Sequence, residues 1–291
     1  MTTKGGKGRL IKFLISLGCY TWDCIWSMVF RALGRTPKAT CVVLYYHSVP
    51  DLNQSAFARQ MDVVARLSVP ISLERIPHLM AGKRYSAITF DDGFEDNIRN
   101  AVPELQKRGI PATVFLTTAY LGQFAKWWPA SSPEREQKIA HAEMWVQLQA
   151  DLISIGSHSL THPYLSSLSE MEARRELCES REMLEELFKR KISTFSFPYG
   201  DFNSALVDWC RDAGYKHIFT TMPKYAFLNG DEFLSGRVKV EPTDWPLEFH
   251  LKIFGAYRWL PYAISLKRRI LSFPGVRIFF LKRQMCSSDL E

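Results

Sequence analysis

Between residues 40 and 241 short apolar runs rich in Val, Ile, Phe and Tyr alternate with longer amphipathic stretches. That alternation confines the chain to an α/β architecture, strands feeding helices that return over the sheet. The apolar runs predict strands at 41–46, 87–90, 112–117, 152–155, 194–197, 216–220 and 237–240. The stretches between them predict helices at 55–67, 97–107, 139–149, 169–188 and 204–213. The surest is 169–188, because Ser169 followed three residues later by Glu172 reads as a capping box before a body of Glu, Arg and Leu. No internal repeat is visible. A polar-aromatic insertion at 120–138 carries Trp127-Trp128-Pro129, and loops of that length in such domains are more often functional than ornamental. Its paired Trp residues suit either stacking on sugar rings or plugging the end of a core.

The chemistry emerges at the C-terminal ends of the predicted strands. His47 follows the first, Asp91-Asp92-Gly93 the second, Gly156-Ser157-His158-Ser159-Leu160-Thr161-His162 the fourth, and Pro198-Tyr199-Gly200 the fifth. Ligands bind at this edge of a parallel sheet, where loops converge and no helix covers it. Two adjacent carboxylates are costly to hold together unless a cation or a proton relieves them. Successive residues at a strand end point different ways, so one Asp can ligate a metal while the other faces a substrate. His158 and His162, four apart, would converge on one ion if their segment made a helical turn. With Asp92 they would form an oxygen-nitrogen-nitrogen site with positions left for water, the arrangement of a catalytic metal, with zinc as the default.

Thr89-Phe90-Asp91-Asp92-Gly93, His158-Ser159-Leu160-Thr161-His162 and Pro198-Tyr199-Gly200 resemble the successive motifs of the polysaccharide deacetylases, the NodB homology domain of carbohydrate esterase family 4. The resemblance covers roughly residues 42–244. It implies a distorted (β/α) barrel of about seven strands and metal-dependent hydrolysis of N-acetyl groups from amino sugars of a glycan. It further implies Asp91 as general base, Asp92, His158 and His162 as ligands of zinc (with cobalt, nickel or manganese as alternatives), and the Tyr199 backbone N–H as an oxyanion donor. Pro198, Gly200, Trp127, Trp128 and Trp245 are then candidate substrate contacts.

The sequence departs from the family pattern in three places. Ser196 stands where an Arg commonly orients the catalytic Asp, which makes Arg237 the candidate substitute. Glu241-Pro242-Thr243-Asp244-Trp245 only approximates a later Asp-x-x-Asp-Trp motif, and His250 follows it too soon to match the usual Leu-x-His. Tyr45-Tyr46-His47-Ser48-Val49, however, is similar to an element of the biofilm poly-N-acetylglucosamine deacetylase subgroup, which implies His47 as the general acid.

Charge separates the ends from the body. The net +7 resolves into +6 at residues 1–40, +6 at residues 252–291 and −5 between them. With 46% hydrophobic and 23% charged residues, the composition excludes disordered, collagenous and low-complexity classes. Residues 10–30 are apolar and nearly long enough to span a bilayer, with Lys12 and Asp23 as interruptions; an interfacial anchor, a span and a helix packed on the body all remain open. No cleavage site follows, so a cleaved signal is not expected. Residues 253–283 form a second aromatic-basic segment suited to a headgroup layer.

The expected organisation is thus a membrane-associating segment (1–39), a catalytic domain (40–250) and a basic aromatic segment (251–291), with amphipathic helices at both ends. The expected partners are an N-acetylated glycan or lipid-linked oligosaccharide and an anionic membrane surface, with no nucleic acid. Six cysteines without a CxxC pair favour the cytoplasmic face over the periplasmic. Two other functions stay open: amide or formamide hydrolysis on another molecule, and a silent glycan-binding scaffold.

Overall fold

The computed structural model describes residues 4–148, 152–230 and 232–272. Its strands are β1 Thr40–Tyr46, β2 Val69–Pro70, β3 Arg84–Phe90, β4 Ala112–Leu116, β5 Ile153–Ser157, β6 Thr194–Ser196, β7 His217–Thr220, β8 Leu234–Gly236 and β9 Val238–Lys239. All pairings are parallel, in the order β8-β7-β6-β5-β4-β3-β1-β9, with β2 beside the first half of β3. β8 and β9 stand at opposite ends of this path, yet only Arg237 separates them in the chain. A single residue reaches only about 3.6 Å, so the two edges must lie side by side and the sheet curls into a nearly closed barrel.

The described residues thus hold more strands than the seven expected. β2 and β8 have two and three residues and no apolar run to announce them, and the expected strand at 237–240 shortens to β9.

The α-helices are α1 Lys4–Ala32, α2 Gln54–Leu67, α3 Val102–Arg108, α4 Ala142–Val146, α5 Glu170–Phe188, α6 Ser204–Asp212, α7 Pro246–Ile253 and α8 Leu260–Ser272. The capping box of α5 forms as its sequence implies, Ser169 Oγ accepting from Glu172 N while Glu172 Oε2 accepts from Ser169 N. The helix expected at 97–107 instead opens with a π-turn at Asn97–Ala101. Pro103 has no N–H for an α-helical bond, and the Asn97 and Asn100 side chains are engaged with the carbonyls of His47 and Val49. The helix expected at 139–149 shrinks to α4, because Ile139 is used in a bridge with Phe94; residue 149 lies outside the described residues.

Burial follows the strand alternation. Val42, Leu44 and Tyr46 of β1 pack outward against Phe57, Met61 and Val64 of α2, while Cys41 and Val43 join Tyr85, Ala87, Phe115 and Phe219 in a second cluster on the opposite face of the sheet. Each fully buried Val, Leu or Phe contributes about 1.5–3 kcal/mol, so burial on both faces explains runs that read as continuously apolar. Past the barrel, the expected boundary at 250/251 falls inside α7, and Leu251, Ile253, Ala256 and Tyr257 are buried. Of the C-terminal segment, residues 273–291, including Arg277, Ile278-Phe279-Phe280-Leu281 and Lys282-Arg283, lie outside the described residues.

Candidate active site and metal centre

At the C-terminal ends of the strands lies a cavity of about 350 Å³, lined by Tyr45, His47, Asp91, Trp127, Trp128, Pro129, His158, His162, Phe197, Tyr199, Thr221 and Lys239. β1 supplies His47, β3 supplies Asp91 and Asp92, and the loops after β5 and β6 supply the two other histidines and Tyr199.

Asp91 is buried and held from one side. Arg237 Nη1 donates to Asp91 Oδ1 and Nη2 to Oδ2, each at 2.7 Å. The same guanidinium reaches Thr89 Oγ1 at 3.2 Å and Ser196 Oγ at 2.6 Å, and lies over the rings of Tyr45 and Phe115 at 4.6 and 5.2 Å. The short Ser196 side chain therefore meets the Arg237 guanidinium from β6 as a hydroxyl acceptor. Burial alone would raise Asp91, but the charge of Arg237, with a further contribution from His158, outweighs it and brings the carboxyl down to about 2.

Asp92 faces the other way. Its backbone is left-handed (φ 69°), which turns the carboxylate from Arg237 toward the imidazoles. Asp92 Oδ1 lies 3.8 Å from His158 Nε2 and 3.4 Å from His162 Nε2, and Oδ2 accepts from Trp128 Nε1 at 3.2 Å. Burial and then the neighbouring Asp91 charge push Asp92 well above the usual carboxylate range. His158 Nδ1 donates to the Ser196 carbonyl at 2.7 Å, leaving Nε2 with its lone pair toward Asp92. Burial lowers His158, and burial together with His158 lowers His162 to about 2, so both rings rest neutral.

One carboxylate oxygen and two neutral imidazole nitrogens, all within 4.8 Å of one another, form a donor set for a divalent cation. Asp92 Oδ1 is fully buried without a hydrogen-bond partner, a cost that such a cation removes. The residues present fit the group.

The histidines converge without the expected helical turn. Residues 158–162 form an irregular loop in which Ser159 (φ 67°) and His162 (φ 63°) are left-handed. Its internal bond runs from His162 N to Ser159 Oγ at 3.0 Å, and its main support comes from α5. Glu176 Oε2 accepts from Leu160 N and Thr161 N at 2.9 and 2.8 Å, and Oε1 accepts from Thr161 Oγ1 at 2.6 Å. The sequence reading missed Glu176, one acid among many on an amphipathic helix. Of the six non-glycine residues with positive φ among the described residues, Asp92, Ser159, His162 and Tyr199 (φ 58°) belong to this rim, a concentration of backbone strain typical of functional sites.

The paired tryptophans lie between the two readings open in the sequence. Trp127 stacks on His162 (centroids 4.5 Å apart, planes at 17°), and Trp128 meets the edge of His47 while bonding Asp92. Tyr199, 42% exposed, stacks on Tyr164 at 4.0 Å and meets His162 edge-on. Pro198 and Gly200 form the turn around it; a Cβ at Gly200 (φ 69°) would collide with Thr221. Burial lowers His47 to about 4, against the partial pull of Asp91. Trp245 is not brought to the cavity: it packs edge-on against Phe13 and under Arg9. His250 likewise lies outside it, bonded to Tyr20. Thr221 and Lys239, neither singled out in the sequence, complete the rim.

Comparison with known proteins gives a consistent picture. Residues 79–218 match the family described as polysaccharide deacetylase. A poly-beta-1,6-N-acetyl-D-glucosamine N-deacetylase of Staphylococcus aureus is 28% identical over 163 residues, 54% of this chain and 55% of that protein. YxkH of Bacillus subtilis is 28% identical over 155 residues, 53% of this chain and 51% of that one. The chain thus spans about half the length of the curated relatives it matches. Among solved structures, IcaB from Ammonifex degensii superposes with a TM-score of 0.63 at 22% identity, covering 76% of this chain and 99% of that one, a likeness of fold.

Proposed function

We propose that this chain, whose residues 79–218 match the polysaccharide deacetylase family, is a metal-dependent hydrolase that removes N-acetyl groups from the amino sugars of a polysaccharide. The observation that carries the reading is the division of labour between adjacent carboxylates: Asp91 locked by Arg237, Asp92 turned to His158 and His162. A divalent ion, zinc by the donor set, would be held by Asp92, His158 and His162; it supplies a polarised acyl carbonyl and a more acidic water.

The remaining work falls to the chain. Asp91, kept ionised by Arg237, accepts the proton of the attacking water as the carbonyl carbon becomes tetrahedral. The Tyr199 N–H, presented by a left-handed residue, donates to the developing oxyanion. His47, which lines the same cavity, gives the proton that lets the amine depart as the C–N bond breaks, yielding acetate and a free amino sugar. Trp127, Trp128, Pro198 and Gly200 shape the wall against which a sugar ring packs. The Staphylococcus aureus relative is named for poly-beta-1,6-N-acetyl-D-glucosamine, which makes β-1,6-linked N-acetylglucosamine the first substrate to test. The exposed apolar face of α1 supports action at a membrane surface, on a polymer or on a lipid-linked oligosaccharide.

The test is acetate release from β-1,6-N-acetylglucosamine oligomers. Activity should disappear with chelator, return with Zn²⁺ or Co²⁺, and be lost in Asp91→Asn and His47→Asn variants that still bind the ion. Full turnover of His47→Asn would refute the acid assignment. No release from any glycan together with no bound metal would favour a binding scaffold.

A further inference from the structure

α1 docks on the protein through one side and leaves a broad apolar side uncovered. Its protein-facing side is mixed: Phe13, Leu17 and Tyr20 pack against Leu251, Ala256 and Tyr257, while Arg9 pairs with Glu248 at 2.6 Å, Ser16 Oγ accepts from Trp259 Nε1 at 2.9 Å, Tyr20 bonds His250 at 3.1 Å, and Arg258 grips both oxygens of Asp23 at 2.6 and 2.7 Å. Its apolar side meets solvent. Ile11, Leu14, Trp22, Ile25, Trp26 and Met28 are 46–70% exposed. A surface helix in water turns its apolar stripe inward. An outward stripe of this size marks an interaction surface.

The second half of α1 also borders a groove of about 560 Å³ at the N-terminal ends of β1 and β3, the end of the barrel opposite the candidate active site. Arg31, Lys38, Lys83, Arg84 and Arg258 line it, and the one acid in its lining, Asp23, is already held by Arg258. Among the described residues, Arg31, Lys38, Lys83 and Arg84 pair with no carboxylate. Trp26, Met28 and Phe30 stand beside these cations, so the groove joins an anion-seeking pocket to the edge of an apolar face. That combination matches the headgroup boundary of an anionic leaflet.

We propose that α1 lies in the plane of an anionic bilayer surface, its Trp22 and Trp26 face among the upper acyl chains, with the basic groove seating the phosphate of a lipid headgroup. The inference rests on the membrane-associating reading of α1 and adds to it an orientation and a headgroup site. The ion pairs to Glu248 and Arg258 oppose a span, because α1 would have to shed them to cross the bilayer alone. The orientation also places the catalytic mouth near the lipid: Gly8, Arg9 and Lys12 at the start of α1 border a groove that shares Thr221 and Lys239 with the candidate active site.

The experiment is vesicle flotation of the full chain with phosphatidylcholine alone or mixed with phosphatidylglycerol, repeated with Lys38→Glu/Lys83→Glu and with Trp22→Ser/Trp26→Ser. Binding should require phosphatidylglycerol and fall about tenfold or more in the charge-reversed variant, since each cation near the surface is worth about 1 kcal/mol. Unchanged circular dichroism and unchanged acetate release from soluble oligomers would show that this variant is folded, and Lys38→Gln/Lys83→Gln serves if it is not. The Trp variant should lose binding. Brominated lipids should quench Trp22 and Trp26 more strongly from shallow than from deep bromines.

Deep quenching would establish a span and overturn the in-plane orientation. Equal binding to both vesicle types with no effect of the Lys changes would overturn the headgroup site while leaving membrane association intact. Saturation of the site by inorganic phosphate without vesicles, detected by calorimetry, would assign it to free phosphate and overturn the lipid source. No vesicle binding by the unaltered chain would overturn the membrane reading as well, and dimers by sedimentation would then identify a second copy as the occupant.

Discussion

Arg237 and Asp91 show how much one buried contact decides. Their four charged atoms pair two to two inside the barrel, with Thr89 and Ser196 taking further bonds from the guanidinium. Removing one member leaves the other charge buried and alone, so Arg237→Met should cost about 3–5 kcal/mol in denaturant unfolding. It should also move the acid limb of kcat/KM upward, because the carboxyl loses the charge that holds it near 2. His47 gives a second residue-scale test in the metal-free protein. Its folded-state pKa lies below that of the unfolded chain, so between about 6.5 and 4 the unfolded state binds the extra proton. Stability should fall as pH drops through that window, and His47→Asn should flatten the slope in urea titrations at stepped pH. An unaltered slope would contradict the burial of a neutral ring.

At the scale of elements, the two-histidine loop depends on a helix it does not belong to. α5 packs beside β5 and offers the Glu176 carboxylate to three donors of residues 160 and 161. Without it, two left-handed residues, Ser159 and His162, have lost the contacts that offset their strain. Glu176→Ala should weaken zinc binding about 10–100-fold by calorimetry, whereas Glu176→Gln, which keeps an acceptor and the length, should recover most of it. Equal affinity in both variants would reduce Glu176 to a packing role. The irregular loop also explains why spacing alone suggested a helical turn: four residues bring two side chains together either by helical period or by paired positive φ, and only the surrounding contacts choose between them.

For the whole molecule, the decisive feature is that a barrel closed at Arg237 carries α1 on its flank through ion pairs. Arg258→Ala should release the second half of α1, seen as faster tryptic cleavage after Arg31 with little change in acetate release, because Asp23 and Arg258 lie away from the cavity. Metal should act on the whole fold as a ligand of the native state. Adding Zn²⁺ should raise the melting temperature of the unaltered chain and leave that of an Asp92→Asn/His162→Ala variant nearly unchanged. A rise of equal size in both would place the ion elsewhere.

The sequence by itself determined the α/β layering, because strands buried on both faces need continuous apolar runs and their connecting helices need amphipathic ones. It also announced the capping box of α5 and placed His47, Asp91, Asp92 and His158 at strand ends, because those are local properties of a few consecutive residues. The tertiary structure decided the rest. The family resemblance made Arg237 the candidate partner of Asp91, but their meeting across 146 residues depends on two sheet edges closing on each other, and no local pattern encodes closure. Glu176 could not be told from its helical neighbours until α5 docked against the histidine loop. Trp245 shared a motif-like neighbourhood with the site but was drawn to Phe13 and Arg9 of α1. And the same apolar stretch at 10–30 reads alike for a span, an anchor or a packed helix, since composition records how much apolar surface a helix has and only docking records which side of it is left uncovered.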